Sequence, residues 1–201
     1  MNLQESREFW DAKHKANRHY WLTGSSPARV LYMHRLQRPR GKTVLDIGVG
    51  EGNFTRWAAK LNNRVLACDV STVALDKISN VAEVFTVEDL GKAPAADLGV
   101  CHLVFQHCSD EMVLHILKSV RLNPRGVFSF QFAYLRGEVM PDFKGAVGNG
   151  VLVFRELDVI QDLVKQSDNL RISRVSEPTL WPWGKGATIG WHFVRCVATG
   201  E

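Results

Sequence analysis

Val44-Leu45-Asp46-Ile47-Gly48-Val49-Gly50-Glu51-Gly52-Asn53-Phe54 is the stretch on which the reading of this chain turns. Val44 to Ile47 favours a buried strand, and the three alternate glycines that follow meet a helix-like run over 53–61. Glycines at such a turn let the backbone come close to a ligand, because a Cβ would collide or forbid the dihedral required. A second strand-like run, 64–69, ends in Asp69, one helix and one turn beyond Gly50. An acid at that place can hold both hydroxyls of a ribose.

The spacing discriminates among nucleoside ligands. A dinucleotide site would read G-x-G-x-x-G, whereas here the glycines are Gly48, Gly50 and Gly52, with Asp46 two positions ahead. Asp46 suits a ligand carrying an amino group and would repel a pyrophosphate. Asn53-Phe54-Thr55 follows the last glycine where a phosphate-cradling loop would place a lysine.

Outward from this unit, strand-like and helix-like segments alternate. Helices are expected over 5–16, 26–37, 71–79, 110–122 and 155–166, with Ser25 or Ser26 capping the second ahead of Pro27. Strands are expected over 83–87, 100–106, 127–133, 170–176 and 189–198, with Asn123-Pro124-Arg125-Gly126 as a turn. The link between the last two strands has no helical pattern, so they should be antiparallel. The class is α/β, in one domain over 1–201: a helical extension over 1–42 and a core over 43–201.

In this set of motifs the chain resembles the class I S-adenosylmethionine-dependent methyltransferases, by motif over 43–133 and by topology beyond. Val44 to Gly52 is similar to that family's first motif, and Asp69 to its ribose-binding acid. Glu88-Asp89-Leu90 is similar to the segment that meets the adenine amino group, Val104 to His107 to the segment after strand four that lines the methyl donor, and Asn123 to Val127 to the turn before strand five. The resemblance implies a Rossmann-like three-layer sandwich: a seven-stranded, mostly parallel sheet of order 3-2-1-4-5-7-6 with strand 7 antiparallel. It implies S-adenosylmethionine as cofactor and S-adenosylhomocysteine as product. The donor-binding residues expected from it and from the spacing are Asp46, Gly48, Gly50, Glu51, Gly52, Asp69, Val70, Asp89, Leu90, Phe105 and Gln106. Tyr20 and Trp21 join them as aromatic faces that would attract a sulfonium cation.

Each assignment has a plainer rival. Asp69 could cap the next helix in place of Ser71; Asp89 could be an ordinary loop acid; Tyr20 and Trp21 could simply pack. His107 lies just past strand four, at the edge where open α/β sheets bind ligands, and could take a proton from a substrate hydroxyl. It could equally cap the helix that follows. His102 reads as a structural residue inside strand four, and Gln131 as a polar residue in an apolar strand whose burial demands a partner. Trp181, Trp183 and Trp191 are packing residues or a substrate wall.

Composition narrows the partners. With 201 residues, 45% hydrophobic and 23% charged, the chain can bury a core without a disulfide or structural metal. Cys68, Cys101, Cys108 and Cys196 are scattered as reduced core thiols, without the second ligand pair that a zinc site requires, so no metal is expected. No run approaches the roughly 20 apolar residues needed to cross a bilayer, and the first residues lack a signal-like apolar region; a cytoplasmic address is expected. The segment 1–42 carries nine Lys/Arg against three acids, and the rest of the chain sums to −2. That segment could attract a phosphorylated substrate, an anionic surface or nucleic acid, but no basic tract with interleaved aromatics supports the last. The reading is O-methylation of a small-molecule acceptor such as a sugar, glycan or natural product, with His107 as base. Its rivals are a protein or RNA methyltransferase docking through the basic segment, and a non-catalytic S-adenosylmethionine-binding subunit.

Overall fold

The glycine turn lies at the centre of a twisted sheet in the computed structural model, which describes residues 2–16, 26–136, 152–176, 179–182 and 188–199. In chain order the elements are α1 (Leu3–Lys15), α2 (Pro27–Met33), β1 (Thr43–Ile47), α3 (Asn53–Ala59), β2 (Arg64–Asp69), α4 (Thr72–Asp76), β3 (Glu83–Thr86) and β4 (Ala96–Cys101). They continue with α5 (Asp110–Ser119), β5 (Leu122–Arg136), α6 (Leu157–Ser167), β6 (Leu170–Val175), β7 (Thr179–Pro182) and β8 (Thr188–Ala198). Among the described residues, no helix is long and apolar enough to cross a membrane.

The sheet runs β3-β2-β1-β4-β5-β8-β6, the order expected, with β8 in the place of strand 7. β1 to β5 pair in parallel, and β8 is antiparallel to both β5 and β6. One strand was not foreseen: β7 pairs with Thr188–Trp191 of β8, beyond the stretch of β8 that β6 occupies.

Period-2 alternation divides the core into layers. Leu45 and Ile47 of β1, with Phe128, Phe130 and Phe132 of β5, pack under α5 and α6; Val44 and Val100 face the opposite side, under α2 and α3. The three phenylalanines are wholly buried, worth roughly 1.5–3 kcal/mol each. Ser129 and Gln131, between them, must face the α2 side. All four cysteines are buried, and burial pushes the Cys108 and Cys196 thiols up to about 12.

Two boundaries differ in ways that matter for the site. β4 covers 96–101 and not 100–106, because the backbone leaves the sheet after Cys101: Leu103 takes φ +59° and Phe105–His107 forms a 3-10 turn. His102 therefore lies just beyond the strand, not within it. β5 starts at Leu122, with 123–126 bulged out between the pairs Ala96/Leu122 and Leu98/Val127. α2 and α4 are also shorter than expected, at seven and five residues.

Candidate functional site

At the carboxyl ends of β1, β2 and β4 lies a cleft, the edge at which open α/β sheets bind ligands. Gly48, Gly50, Asp69 and Val70 line it together with His102, Val104 and His107. Val87, Met112 and Ile116 add apolar floor. A second cavity of about 550 Å³ adjoins it past Gly48 and contains Asp46, Glu51 and Asn53; His102 and Leu103 border both.

The turn is built as the glycines predict. Gly48 has φ +77°, and a Cβ there would lie 2.1 Å from Val104 Cγ2. At Gly50 (φ +53°) a Cβ would meet nothing within 4 Å, so the backbone there borders open space. Gly52, also at positive φ, is the N-cap of α3.

Asp69 is buried at the cleft's edge, where its Oδ2 accepts from the Gly50 amide (3.2 Å) and its Oδ1 from the Ser71 amide (2.9 Å). Burial raises its pKa, opposed by those two amides. Capping of α4 falls to Ser71, whose Oγ accepts from Ala74 N. Asp69 thus positions the cap and keeps its carboxylate against the glycine turn.

Asp46 is likewise buried, and its Oδ2 accepts from Thr55 Oγ1 at 2.5 Å. Burial, with Asp69 nearby, pushes its pKa up to about 6 against the Thr55 bonds. An amine or sulfonium brought into this pair of cavities would relieve that penalty by supplying the missing positive charge.

The cleft's roof is α1. Ser6, Trp10 and His14, at four-residue spacing and so on one helical face, line the cleft, and the Trp10 ring lies edge-on to His107 at 5.1 Å. The neighbouring face is bonded down. Arg7 donates to Val70 O (3.1 Å) and pairs with Glu88; Asp11 accepts from Ser71 Oγ at the start of α4; Glu51 bonds Lys77 (2.9 Å) and His14 (3.2 Å). The segment after β4 is held from behind by Arg155. Its buried guanidinium donates to Phe105 O (2.7 Å) and Cys108 O (2.6 Å) and pairs with Asp110 (2.7 Å).

Of the residues picked out in the sequence, the structure brings Gly48, Gly50, Asp69, Val70 and His107 to the cleft, and Asp46 and Glu51 to the adjoining cavity. Asp89 bonds Lys92 (2.6 Å), Leu90 is core, Phe105 packs on Phe130, and buried Gln106 has its Nε2 3.3 Å from His107 Nε2; like Gly52 and Trp191 they line neither cavity. Tyr20, Trp21 and Trp183 lie outside the described residues, as does the side chain of Trp181. Sequence reasoning missed Trp10 and Arg155. The spacing of Ser6, Trp10 and His14 was a legible signal for the first; nothing local announces the second.

The geometry fits a nucleoside: an apolar slot for a flat ring, a carboxylate with two oxygens for vicinal hydroxyls, and backbone approach at Gly50. Comparison with known proteins points the same way. Residues 44–126 match the family described as "Methyltransferase domain". The tRNA 5-carboxymethoxyuridine methyltransferase of Escherichia coli (strain K12) is 29% identical over 157 residues, which cover 68% of this chain and 60% of that relative. Among solved structures, Haemonchus contortus phosphoethanolamine N-methyltransferase 2, in complex with phosphomonomethylethanolamine and S-adenosylhomocysteine, superposes with a TM-score of 0.67 at 16% identity, over 96% of this chain and 59% of that one. Magnesium protoporphyrin IX methyltransferase from Synechocystis PCC 6803, with bound S-adenosylhomocysteine, gives 0.66 at 15% identity, over 96% and 99%.

Proposed function

We propose that the chain is a class I S-adenosylmethionine-dependent methyltransferase, a reading supported by the match of residues 44–126 to a methyltransferase family and by the shared fold, and that it methylates a hydroxyl of a small polar acceptor such as a sugar, glycan or natural product. One observation carries this reading: a single cleft under α1 is lined by the Gly48–Gly50–Asp69 cradle and by the His107 imidazole. When bound, S-adenosylmethionine supplies a methyl group on a sulfonium, whose positive charge leaves the reacting carbon as the group moves.

The chain's own residues supply placement and dryness. Asp69 accepts from the ribose hydroxyls, Gly48 and Gly50 let the backbone approach, and Asp46 attracts the amino group from the adjoining cavity. Trp10 and the rest of α1 exclude water, which strengthens each of these interactions. His107 takes the acceptor's proton, a contribution of about 10²- to 10⁴-fold.

A second reading rests on one feature of the surface. Residues 26–42 carry Arg29, Arg35, Arg38, Arg40 and Lys42 with no acid, and Tyr32 among them is 84% exposed. With the similarity to a tRNA methyltransferase, this favours an RNA acceptor docked on α2.

Calorimetry with S-adenosylhomocysteine tests the cradle: Asp69→Ala should cost about 1.5–3 kcal/mol of affinity. Labelled-methyl transfer to sugars, phenols, peptides and RNA then separates the acceptors. With a hydroxyl acceptor, His107→Ala should lower turnover by about 10²-fold or more while leaving donor affinity intact. Binding of NAD or ATP in place of either adenosyl compound would overturn the assignment.

A further inference from the structure

Four polar side chains meet between α2 and the sheet, where an apolar layer would cost less. Ser129 and Gln131 reach that side by alternation with the three phenylalanines of β5, and His34, the C-cap of α2, comes down on them. His34 Nδ1 lies 2.8 Å from Ser129 Oγ, and His34 Nε2 lies 3.1 Å from His102 Nδ1. His34, Ser129 and Gln131 are at most 3% exposed. Gln131 lies against His102 and favours its protonated form, while Arg29 opposes it; Arg195 acts likewise against protonation of His34. Burial holds both rings neutral, with His34 lowered to about 3 and His102 to about 4.

The two ends of this row open on different spaces. His102 borders the cleft and its neighbour, whereas His34 and Ser129 line a separate small surface pocket that includes Arg35, Arg174 and Arg195. Neutral imidazoles each hold one proton and offer one lone pair, so a row of them conducts if every contact is a hydrogen bond.

We propose that His102, His34 and Ser129 form a proton conduit that takes the proton released by methyl transfer from the cleft to the surface cavity beside α2. The proposal rests on the methyltransferase reading for its source of protons. In outline, the acceptor hydroxyl gives its proton to His107 as its oxygen bonds the methyl carbon and the carbon–sulfur bond breaks, and His107 passes a proton across the cleft that both residues line to His102 Nε2. The Nδ1 proton of His102 then passes to His34 Nε2, and the Nδ1 proton of His34 to Ser129 Oγ. The original hydroxyl proton of Ser129 leaves to water, so one proton enters and one departs. Each passage inverts the direction of the row, which is restored when the rings and the hydroxyl turn about their bonds.

The test needs no acceptor. In ¹⁵N-histidine-labelled protein with S-adenosylhomocysteine filling the cleft, NMR should show one proton shared by His34 and His102, and both rings neutral from pH 5 to 8. Ser129→Ala, which does not touch His102, should still change the nitrogen on which His102 carries its proton, because the effect passes through His34. Ser129→Val, which plugs the outer end, should slow exchange of the shared proton with D2O at least tenfold, and His34→Gln should abolish the shared signal. A His102 that titrates near the ordinary histidine value, or ignores both Ser129 variants, would overturn the conduit. Absence of S-adenosylhomocysteine binding would instead strike the methyltransferase reading. The shared proton is observable without ligand, so the two failures stay distinct.

Discussion

Replacing Asp46 by Asn should make the ligand-free protein more stable at neutral pH, although it alters the motif on which the sequence reading rests. Burial pushes the pKa of the native carboxyl up to about 6, against 3.8 for an unstrained aspartate. Between those values the folded state holds more protons than the unfolded one, so wild-type stability falls as pH rises through that window, and the whole penalty is present above about pH 6. At roughly 1.4 kcal/mol per pH unit the rise is worth about 3 kcal/mol at most. An asparagine Oδ1 still accepts from Thr55 Oγ1 while its amide needs a new partner, so a net gain of about 1–3 kcal/mol is expected. Urea denaturation at pH 4, 5, 6 and 7 measures it. The difference between the two proteins should be small at pH 4 and grow to its full size by pH 7, with titrations common to both cancelling. An asparagine variant that is less stable at pH 7, or a gap that does not widen between pH 4 and 6, would refute the reasoning. The same variant should bind S-adenosylmethionine more weakly, which would make Asp46 a case of stability given up for a ligand's charge.

Arg155→Met removes three charge-assisted bonds, takes the guanidinium from the Cys108 carbonyl and leaves the Phe105 carbonyl only its bond from the Cys108 amide, so it should cost about 3–5 kcal/mol in chemical denaturation; Arg155→Lys should recover only part, because an ammonium cannot span the fork. Gly48→Ala combines a φ of +77° with a contact of 2.1 Å to Val104, and should lower S-adenosylhomocysteine affinity more than tenfold by calorimetry. Adding Val104→Ala relieves the contact but not the dihedral, so rescue should be partial. Trp10→Ala should speed dissociation of S-adenosylhomocysteine, read by stopped-flow fluorescence, while shifting unfolding stability by only about 1 kcal/mol, because α1 is held by the polar bonds of Arg7, Asp11 and Glu51.

The strand–turn–helix unit was legible because its information is local: alternate glycines, a buried strand and an acid at a fixed distance constrain one another between Val44 and Asp69. The sheet order followed from the resemblance, and the antiparallel terminal pair from the missing crossover helix. β4 was misplaced because Ala96-Asp97-Leu98-Gly99 has weak strand propensity and is recruited by pairing on both sides, against β1 and β5. His102 was placed inside the strand for the same reason, and lies one residue past its end. Arg155 and His34 were invisible because each acts on a partner distant in sequence, Arg155 on Phe105 and His34 on Ser129. Asp89, chosen by motif, turns to Lys92, a neighbour no motif records.

Among the described residues, every one that lines the cleft falls between Ser6 and Ile116. The later strands and α6 can therefore drift, shorten or be exchanged under selection for a new acceptor without altering any of those residues. Arg155 is a residue beyond that stretch which nonetheless pins backbone within it, at Phe105 and Cys108. In an evolutionary series of such proteins it should be inherited with the glycine motif, not with the region of the chain in which it lies.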